Sequence, residues 1–243
     1  MSKEIKKNSF KAVLLSAGLG TRLRPITEKI PKCLVEIDNV PILERWLSHL
    51  EELGCKETLV NTHYFHEKVR DFLSKRKSKE MKIIETYEEK LLGTAGTIIK
   101  NIDFFDDSKI IMIHCDNFTN FNLQKLIDAN DKRPKDCYLT MLTFQTSSPQ
   151  KCGIIERDKK MIVQSFYEKV KNPPTNIANA AIYMFDKSFV TKLKKEMPKA
   201  IDFSTEVLPK FIGQIFSFHT KEFFLDIGTI ENLSNAKKRF NKN

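Results

Sequence analysis

Leu14-Leu15-Ser16-Ala17-Gly18-Leu19-Gly20-Thr21-Arg22-Leu23-Arg24-Pro25 grows directly out of the apolar run Ala12 to Leu15. That run reads as a buried strand. Gly18 and Gly20 permit positive φ and let backbone N–H groups point inward at an anion. Ser16 and Ala17 are small enough for a flat base to approach the chain, and Arg22 can fork two hydrogen bonds onto phosphate oxygens. Two familiar phosphate patterns are excluded. G-x-G-x-x-G needs a third glycine where Leu23 stands, and G-x-x-x-x-G-K-[ST] occurs nowhere in the chain.

Outward from this loop, short apolar runs alternate with helical patterns. Ile42, Trp46, Leu47, Leu50 and Leu53 recur at helical spacing and end at Gly54, a natural residue after a helix. Strands are expected at Thr58 to Asn61, Met81 to Ile84 and Ile110 to His114, and helices at Val69 to Leu73, Ile98 to Ile102 and Leu123 to Ala129. The alternation predicts an α/β fold: a Rossmann-like mixed, mostly parallel sheet with helices on both faces. Ligands of such sheets bind beyond the carboxyl ends of the strands. Two segments fall at such ends, Ser16 to Arg24 and Cys115-Asp116-Asn117.

After about Lys135 the texture changes. Tyr138 to Phe144, Gly153 to Glu156, Ile162 to Phe166 and Ala178 to Phe185 are strand-like with short turns between them, which predicts an antiparallel extension forming the second wall of a cleft. Pro173-Pro174 excludes helix in its loop. Val190 to Glu196, Thr205 to Phe211 and Glu231 to Phe240 read as helices. No linker or repeat divides the chain, so a single domain over 1–243 is expected, with one half at about 10–135 and the other at about 136–243.

Bulk properties narrow the setting. With 243 residues, 41% of them hydrophobic, the chain can bury a sizeable core. No apolar run approaches the roughly 20 residues that span a bilayer, and Met1 to Ser9 is a lysine-rich stretch that reads as a short tail, not a secretory signal. The five cysteines are scattered, with no C-x-x-C pair, which argues against a disulfide framework and a zinc site and for a cytoplasmic setting. The net charge of +10 comes from lysines spread along the chain. No nucleic-acid motif accompanies them, so polyphosphate substrates fit better than DNA, RNA or a membrane. Asn117-Phe118-Thr119 matches the glycosylation pattern by chance.

Leu15-x-Ala17-Gly18-x-Gly20-Thr21-Arg22-Leu23-x-Pro25-x-Thr27, followed by Pro31-Lys32-x-Leu34, resembles the signature of the sugar-phosphate nucleotidyltransferases, the NDP-sugar pyrophosphorylases. Further along, Leu92-Gly93-Thr94-Ala95-Gly96 is similar to the family's base-recognition loop, and Asp116 sits where the family keeps a metal-binding aspartate. Gly153-Ile154-Ile155-Glu156 resembles Y-G-V-V-E with Cys152 in place of the aromatic. Phe166-Tyr167-Glu168-Lys169-Val170 resembles F-x-E-K-P, Asn179-Ala180-Ala181-Ile182-Tyr183 resembles N-A-G-I-Y with Ala181 for glycine, and Phe224-Leu225-Asp226-Ile227-Gly228-Thr229 resembles W-x-D-I-G-T.

The resemblance implies a GT-A-like fold and a reaction in which a sugar 1-phosphate attacks the α-phosphorus of a nucleoside triphosphate and pyrophosphate leaves. It makes Arg22, Lys32 and Asp116 the catalytic residues. Leu15, Ala17, Gly18, Gly20, Thr21, Glu88, Gly93 and Thr94 would hold the nucleotide. Gly153, Glu168, Lys169 and Asn179 would hold the sugar phosphate, and Asp116 and Asp226 would hold Mg²⁺. Taken singly, Asp116 or Asp226 could cap a helix, Lys32 and Lys169 could be solvated, and Gly93 could be a turn residue. The order in which they occur carries the resemblance. His63 and His66 read as surface residues, and His114 as a satisfied, partly buried histidine, because an ionised phosphate needs no base. Short guanylyltransferases for mannose 1-phosphate or a manno-configured heptose 1-phosphate are the nearest in pattern. Thymidylyl-, uridylyl- and cytidylyltransferases and a non-catalytic binding module stay open, and relatives of this kind are often homo-oligomers.

Overall fold

In a computed structural model describing residues 10–77 and 80–240, the run before the glycine loop is β1 (Phe10–Leu15), whose Ala12, Val13 and Leu14 are fully buried. The lysine-rich stretch Met1 to Ser9, read above as a tail, lies outside the described residues. A hairpin of β2 (Glu36–Ile37) and β3 (Val40–Pro41) follows the loop. It turns on Asp38 and Asn39 at φ 53° and 57°, the pair of positive values that a type I′ turn requires. Next come α1 (Ile42–Glu52), β4 (Glu57–Thr62), α2 (His66–Lys75), β5 (Lys82–Tyr87), α3 (Gly93–Lys100), β6 (Lys109–His114), β7 (Asn117–Thr119) and α4 (Gln124–Asn130). The later part adds β8 (Leu139–Gln145), β9 (Gly153–Arg157), β10 (Val163–Glu168), β11 (Ile177–Phe185), α5 (Lys187–Glu196), α6 (Leu208–Lys210), β12 (Ile215–Thr220), β13 (Phe224–Asp226) and α7 (Ile230–Phe240).

Among the described residues, nine strands form one sheet with the path β10-β9-β11-β6-β1-β4-β5, extended by β8 beside β11 and β12 beside β8. β1 pairs in parallel with both β4 and β6, and β4 with β5, whereas β11 runs antiparallel to β6 and β8. The chain moves from β1 out to β5 and then returns to the other side of β1. The strand order therefore reverses between β1 and β6, which is where such sheets open a crevice. Residues alternate between faces with period two. Leu14, Ile111 and Ile113 join one apolar cluster with Trp46 and Leu47 of α1 and Leu233 of α7. Val13, Ile110 and Met112 join the other with Ile98 of α3 and Phe189 of α5. Each large side chain buried this way contributes roughly 1.5–3 kcal/mol.

Two differences from the expected elements have physical causes. β12 pairs in parallel with β8 at the sheet's edge, a partnership that no local pattern announces. The helix expected over Thr205 to Phe211 is instead a π-helical turn at Phe203–Val207 leading into α6, where Pro209 has no N–H for a regular ladder. Asn117, in the glycosylation-like triplet, is buried, and its amide donates to the Ala180 carbonyl at 2.8 Å. No helix among the described residues is long and apolar enough to cross a membrane.

β11 changes partner midway. Its register against β8 shifts between Asn179 and Tyr183, and Ala181 sits at φ 50°, in the left-handed region. This bulge re-aims Asn179, whose Oδ1 accepts the Ala181 N–H at 2.9 Å and whose Nδ2 donates to the Tyr183 hydroxyl at 2.6 Å. A left-handed alanine costs about 1–2 kcal/mol, more than the extra chain entropy of glycine. Ala181→Gly is therefore expected to raise stability by roughly 0.5–1 kcal/mol. In thermal unfolding that corresponds to about 2–3 °C; an unchanged or lowered midpoint would contradict it.

Candidate functional site

The glycine loop is shaped by its own packing. Gly20 takes φ 65°, its carbonyl accepts the Leu23 N–H at 2.9 Å and the Thr27 hydroxyl at 2.8 Å, and a Cβ there would stand 2.9 Å from Thr27 Cγ2. The loop forms one wall of a cleft of about 420 Å³ at the carboxyl ends of β1 and β6. Of the residues singled out from the sequence, Leu15, Ala17, Gly18, Gly20, Thr21, Arg22, Lys32, Gly93, Thr94 and Asp116 all line it. A larger, open groove of about 620 Å³ between α1 and α2 contains none of them.

Two aspartates distant in sequence meet beside the cleft: Asp116 lines it, and Asp226, outside the lining, stands next to Lys32 and Arg22. β7 and β13 pair antiparallel with Asn117 opposite Asp226, and the Ile227 N–H donates to the Asp116 carbonyl at 2.8 Å. Lys32, mostly buried, hydrogen-bonds Asp116 Oδ2, and its Nζ lies 3.7 Å from Asp226 Oδ1. Arg22 Nη2 lies 3.9 Å from Asp226 Oδ2. Gly228 makes room for this cluster, because a Cβ there would stand 2.8 Å from Asp226 Oδ2 and 2.9 Å from Arg22 Nη2. Neither aspartate caps a helix: α4 starts after Leu123, and the Thr229 hydroxyl receives the Asn232 N–H in the first turn of α7.

The electrostatics divide the pair. Burial opposes the charge on Asp116, yet Lys32 and His114 hold its carboxyl below the ordinary range. Burial, and then the Asp116 carboxylate, raise Asp226 above it, against the pull of Lys32 and Arg22. Asp226 Oδ1 is shielded from solvent and has no hydrogen-bond partner. Burial also lowers the pKa of His114, against Asp116 and Asp202. Its Nε2 is buried without a partner, so this histidine is not the satisfied one expected from the sequence.

The remaining sites separate. Glu88, expected to touch nucleotide, is fully buried and absent from the cleft wall. Its carboxylate accepts hydrogen bonds from Asn61, Thr97 and the Leu92 N–H instead. Gly153, Glu168, Lys169 and Asn179 lie on the β9–β10–β11 side, outside the lining of the cleft. Glu168 accepts from Lys169 Nζ at 2.8 Å and is near enough to bias the ionisation of His114. A Cβ at Gly153 would stand 2.7 Å from Glu168 Oε2, so these two are held together. Sequence reasoning missed Asn61, at the carboxyl end of β4, and His114, at that of β6, as lining residues, whereas Cys115 lines the cleft as its place at a strand end implied. A polar residue at a parallel strand's carboxyl end was the available signal.

Asp226→Asn removes a carboxylate whose folded pKa is raised, so the wild-type penalty is full above that pKa and is lost as the pH falls to the ordinary carboxylate value. Without divalent cation, the variant should melt about 2 °C higher than wild type near pH 8, allowing for solvent screening, and at the same temperature near pH 3.5. A variant less stable at pH 8 would contradict this.

The family model described as nucleotidyl transferase matches residues 11–243. Mannose-1-phosphate guanylyltransferase catalytic subunit beta of Drosophila melanogaster is 29% identical over 226 residues, covering 91% of this chain and 60% of that protein. The chain thus spans about three fifths of the length of such curated relatives. The crystal structure of HddC from Yersinia pseudotuberculosis is 28% identical, with a TM-score of 0.80 over 95% of this chain and 99% of that one. HddC has also been solved complexed with GMP-PN. UDP-glucose pyrophosphorylase complexed with UDP-glucose, at 17% identity and a TM-score of 0.81 over 96% of this chain and 98% of that one, shares the fold. Sequence and fold together place this chain in the nucleotidyl transferase family.

Proposed function

We propose that the chain transfers a nucleoside monophosphate from a nucleoside triphosphate to a sugar 1-phosphate, releasing pyrophosphate, with GTP as donor and a manno-configured hexose or heptose 1-phosphate as acceptor. The observation that carries this reading is the convergence of Arg22, Lys32, Asp116 and Asp226 beside the glycine loop at the sheet's switch point. The guanylyl donor is favoured by the Drosophila relative and by HddC, solved with GMP-PN. The half before about residue 135 holds the nucleotide, and the half after it the acceptor. Five free cysteines suit a reducing cytoplasm.

An acceptor phosphate oxygen attacks the α-phosphorus in line, a new P–O bond forms, and the bond to the β-phosphate oxygen breaks with pyrophosphate leaving. No covalent enzyme intermediate and no general base are needed, since the attacking oxygen is already ionised. The obstacle is the meeting of two anions, so the protein supplies position and positive charge. Arg22, largely exposed at the cleft mouth, grips the departing phosphates with the Gly20 and Thr21 amides. Lys32 neutralises charge at the α-phosphate. Lys169 draws in the acceptor phosphate, while Glu168, Asn179 and the Gly153 backbone orient its hydroxyls.

Mg²⁺ is the cofactor that the family implies, and the residues fit it. Two carboxylates stand side by side, and the shielded Asp226 Oδ1 lacks a hydrogen-bond partner. Among the described residues no third His, Cys, Asp or Glu joins them, which suits an ion that takes one or two carboxylates and completes its shell with phosphate oxygens and water. Held by Asp116 and Asp226, the ion would neutralise phosphate charge.

Purified protein should be supplied in turn with ATP, GTP, CTP, UTP and dTTP, each with mannose 1-phosphate and with a heptose 1-phosphate, and pyrophosphate measured. GTP should give the highest kcat/KM, and EDTA should abolish release. Asp116→Asn should lower kcat/KM by about 100-fold or more. Release with UTP, CTP or dTTP but not GTP would overturn the donor assignment. No release with any pair would overturn catalysis in favour of a binding module.

A further inference from the structure

The wall opposite the phosphate cluster is built on one buried carboxylate. Glu88 is fully buried, and its side chain accepts from Asn61 Nδ2 at 2.9 Å, the Thr97 hydroxyl at 2.5 Å and the Leu92 N–H at 3.0 Å. Asn61 carries the linkage onward. Its Nδ2 also reaches Thr97 Oγ1 at 3.1 Å, and its Oδ1 accepts the Ser16 N–H at 2.7 Å. The Ser16 hydroxyl donates back to the Asn61 carbonyl. Thr97 Oγ1 lies 2.9 Å from the Gly93 carbonyl, at the start of the second loop. Three separate pieces of chain are thereby fixed to one another: the entry to the glycine loop, the carboxyl end of β4 and the turn into α3.

We propose that Glu88 and Asn61 are positioning residues that set the gap between Ser16-Ala17 and Gly93-Thr94, and so select which nucleobase the slot accepts. This rests on the reading of the cleft as the nucleotide site. Ser16, Ala17, Gly93 and Thr94 all line the cleft and are small, so discrimination between bases depends on where these two stretches of chain stand. A wall needing only stability would be served as well by apolar packing, since a buried polar network gains little net energy over a well-packed apolar one. What the network gains is geometry, because Ser16, Leu92 and Gly93 have each lost the freedom to shift independently.

Glu88→Gln tests this without changing shape: one carboxylate oxygen becomes an NH₂ group facing a protein donor, so one contact becomes donor against donor. Thr97→Val removes the hydroxyl that donates to Glu88 and accepts from Asn61 beside the Gly93 carbonyl, and Thr97→Ser restores it. Nucleoside triphosphate affinities should be measured by equilibrium titration with Mg²⁺ and no acceptor, alongside steady-state constants and melting temperatures. Expected are an approximately tenfold weaker affinity for the preferred triphosphate in Glu88→Gln and Thr97→Val and a narrowed preference among bases. The KM for the sugar phosphate should move less than about twofold, and Thr97→Ser should recover most of the loss. The proposal falls if both disruptive variants keep wild-type affinity and preference. It also falls if they lose donor and acceptor affinity in equal measure along with melting temperature, which is the pattern of general destabilisation. If Glu88→Gln fails to fold, Thr97→Val against Thr97→Ser decides alone. Wild type that binds triphosphate but never releases pyrophosphate defeats the transferase reading and leaves this comparison standing. Wild type that binds no triphosphate defeats both.

Discussion

A lysine between two carboxylates is the constraint on which the rest of the molecule turns. Asp116 and Asp226 would repel one another in a partly shielded cleft, and Lys32 bonded to the first and 3.7 Å from the second makes their juxtaposition tolerable. It does not make it comfortable, since Asp226 is held above the ordinary carboxylate range and one of its oxygens has no hydrogen-bond partner. Such a cluster costs stability in the free protein, a cost that natural sequences accept where a ligand will offset it. The surroundings conform to it. Gly228 leaves the space that a methyl group would take from Asp226 and Arg22, and the pairing of β7 with β13 fixes the second aspartate beside the first.

The sheet explains why the cluster forms at this place. β1 and β6 are adjacent parallel strands whose successors diverge, so their carboxyl ends leave an opening that neither crossover fills. The glycine loop leaves one strand and Asp116 follows the other, with the Cys115 N–H tied to the Leu15 carbonyl at 3.0 Å. Arg22 and Lys32 then follow on the same excursion of chain. The positive and negative members of the cluster therefore arrive from neighbouring strand ends, and only Asp226 has to be brought in from elsewhere.

What could be read from the sequence follows the range of the forces involved. β1, β4, β6 and α1 were legible because a buried strand and an amphipathic helix each write their burial into consecutive residues. The glycine loop was legible because its chemistry is local. Glu88 was not, because its place behind the cleft wall is decided by Asn61 and Thr97, which approach it from other elements. β12 was not, because an edge strand is defined by its partner β8. The partnerless Nε2 of His114 is likewise a property of packed surroundings and not of the strand that bears it.

The proposed division of labour between a nucleotide half and an acceptor half does not describe two independent bodies. β11 belongs to the later half, yet its last residues pair with β6, and Asn117 beside Asp116 donates to Ala180 within the β11 bulge. The segment before α6 touches both walls. Ile201 accepts the Ala95 N–H at 2.9 Å, and the Phe203 N–H donates to the Thr94 hydroxyl at 2.7 Å, bracing the first turn of α3. One residue further on, Ser204 is near enough to bias the buried Tyr183 hydroxyl, to which Asn179 donates. A displacement of this short segment would alter both pockets at once. The in-line transfer proposed for this chain demands that two substrates share one geometry, and on that reading a single stretch of backbone carries part of the alignment of each.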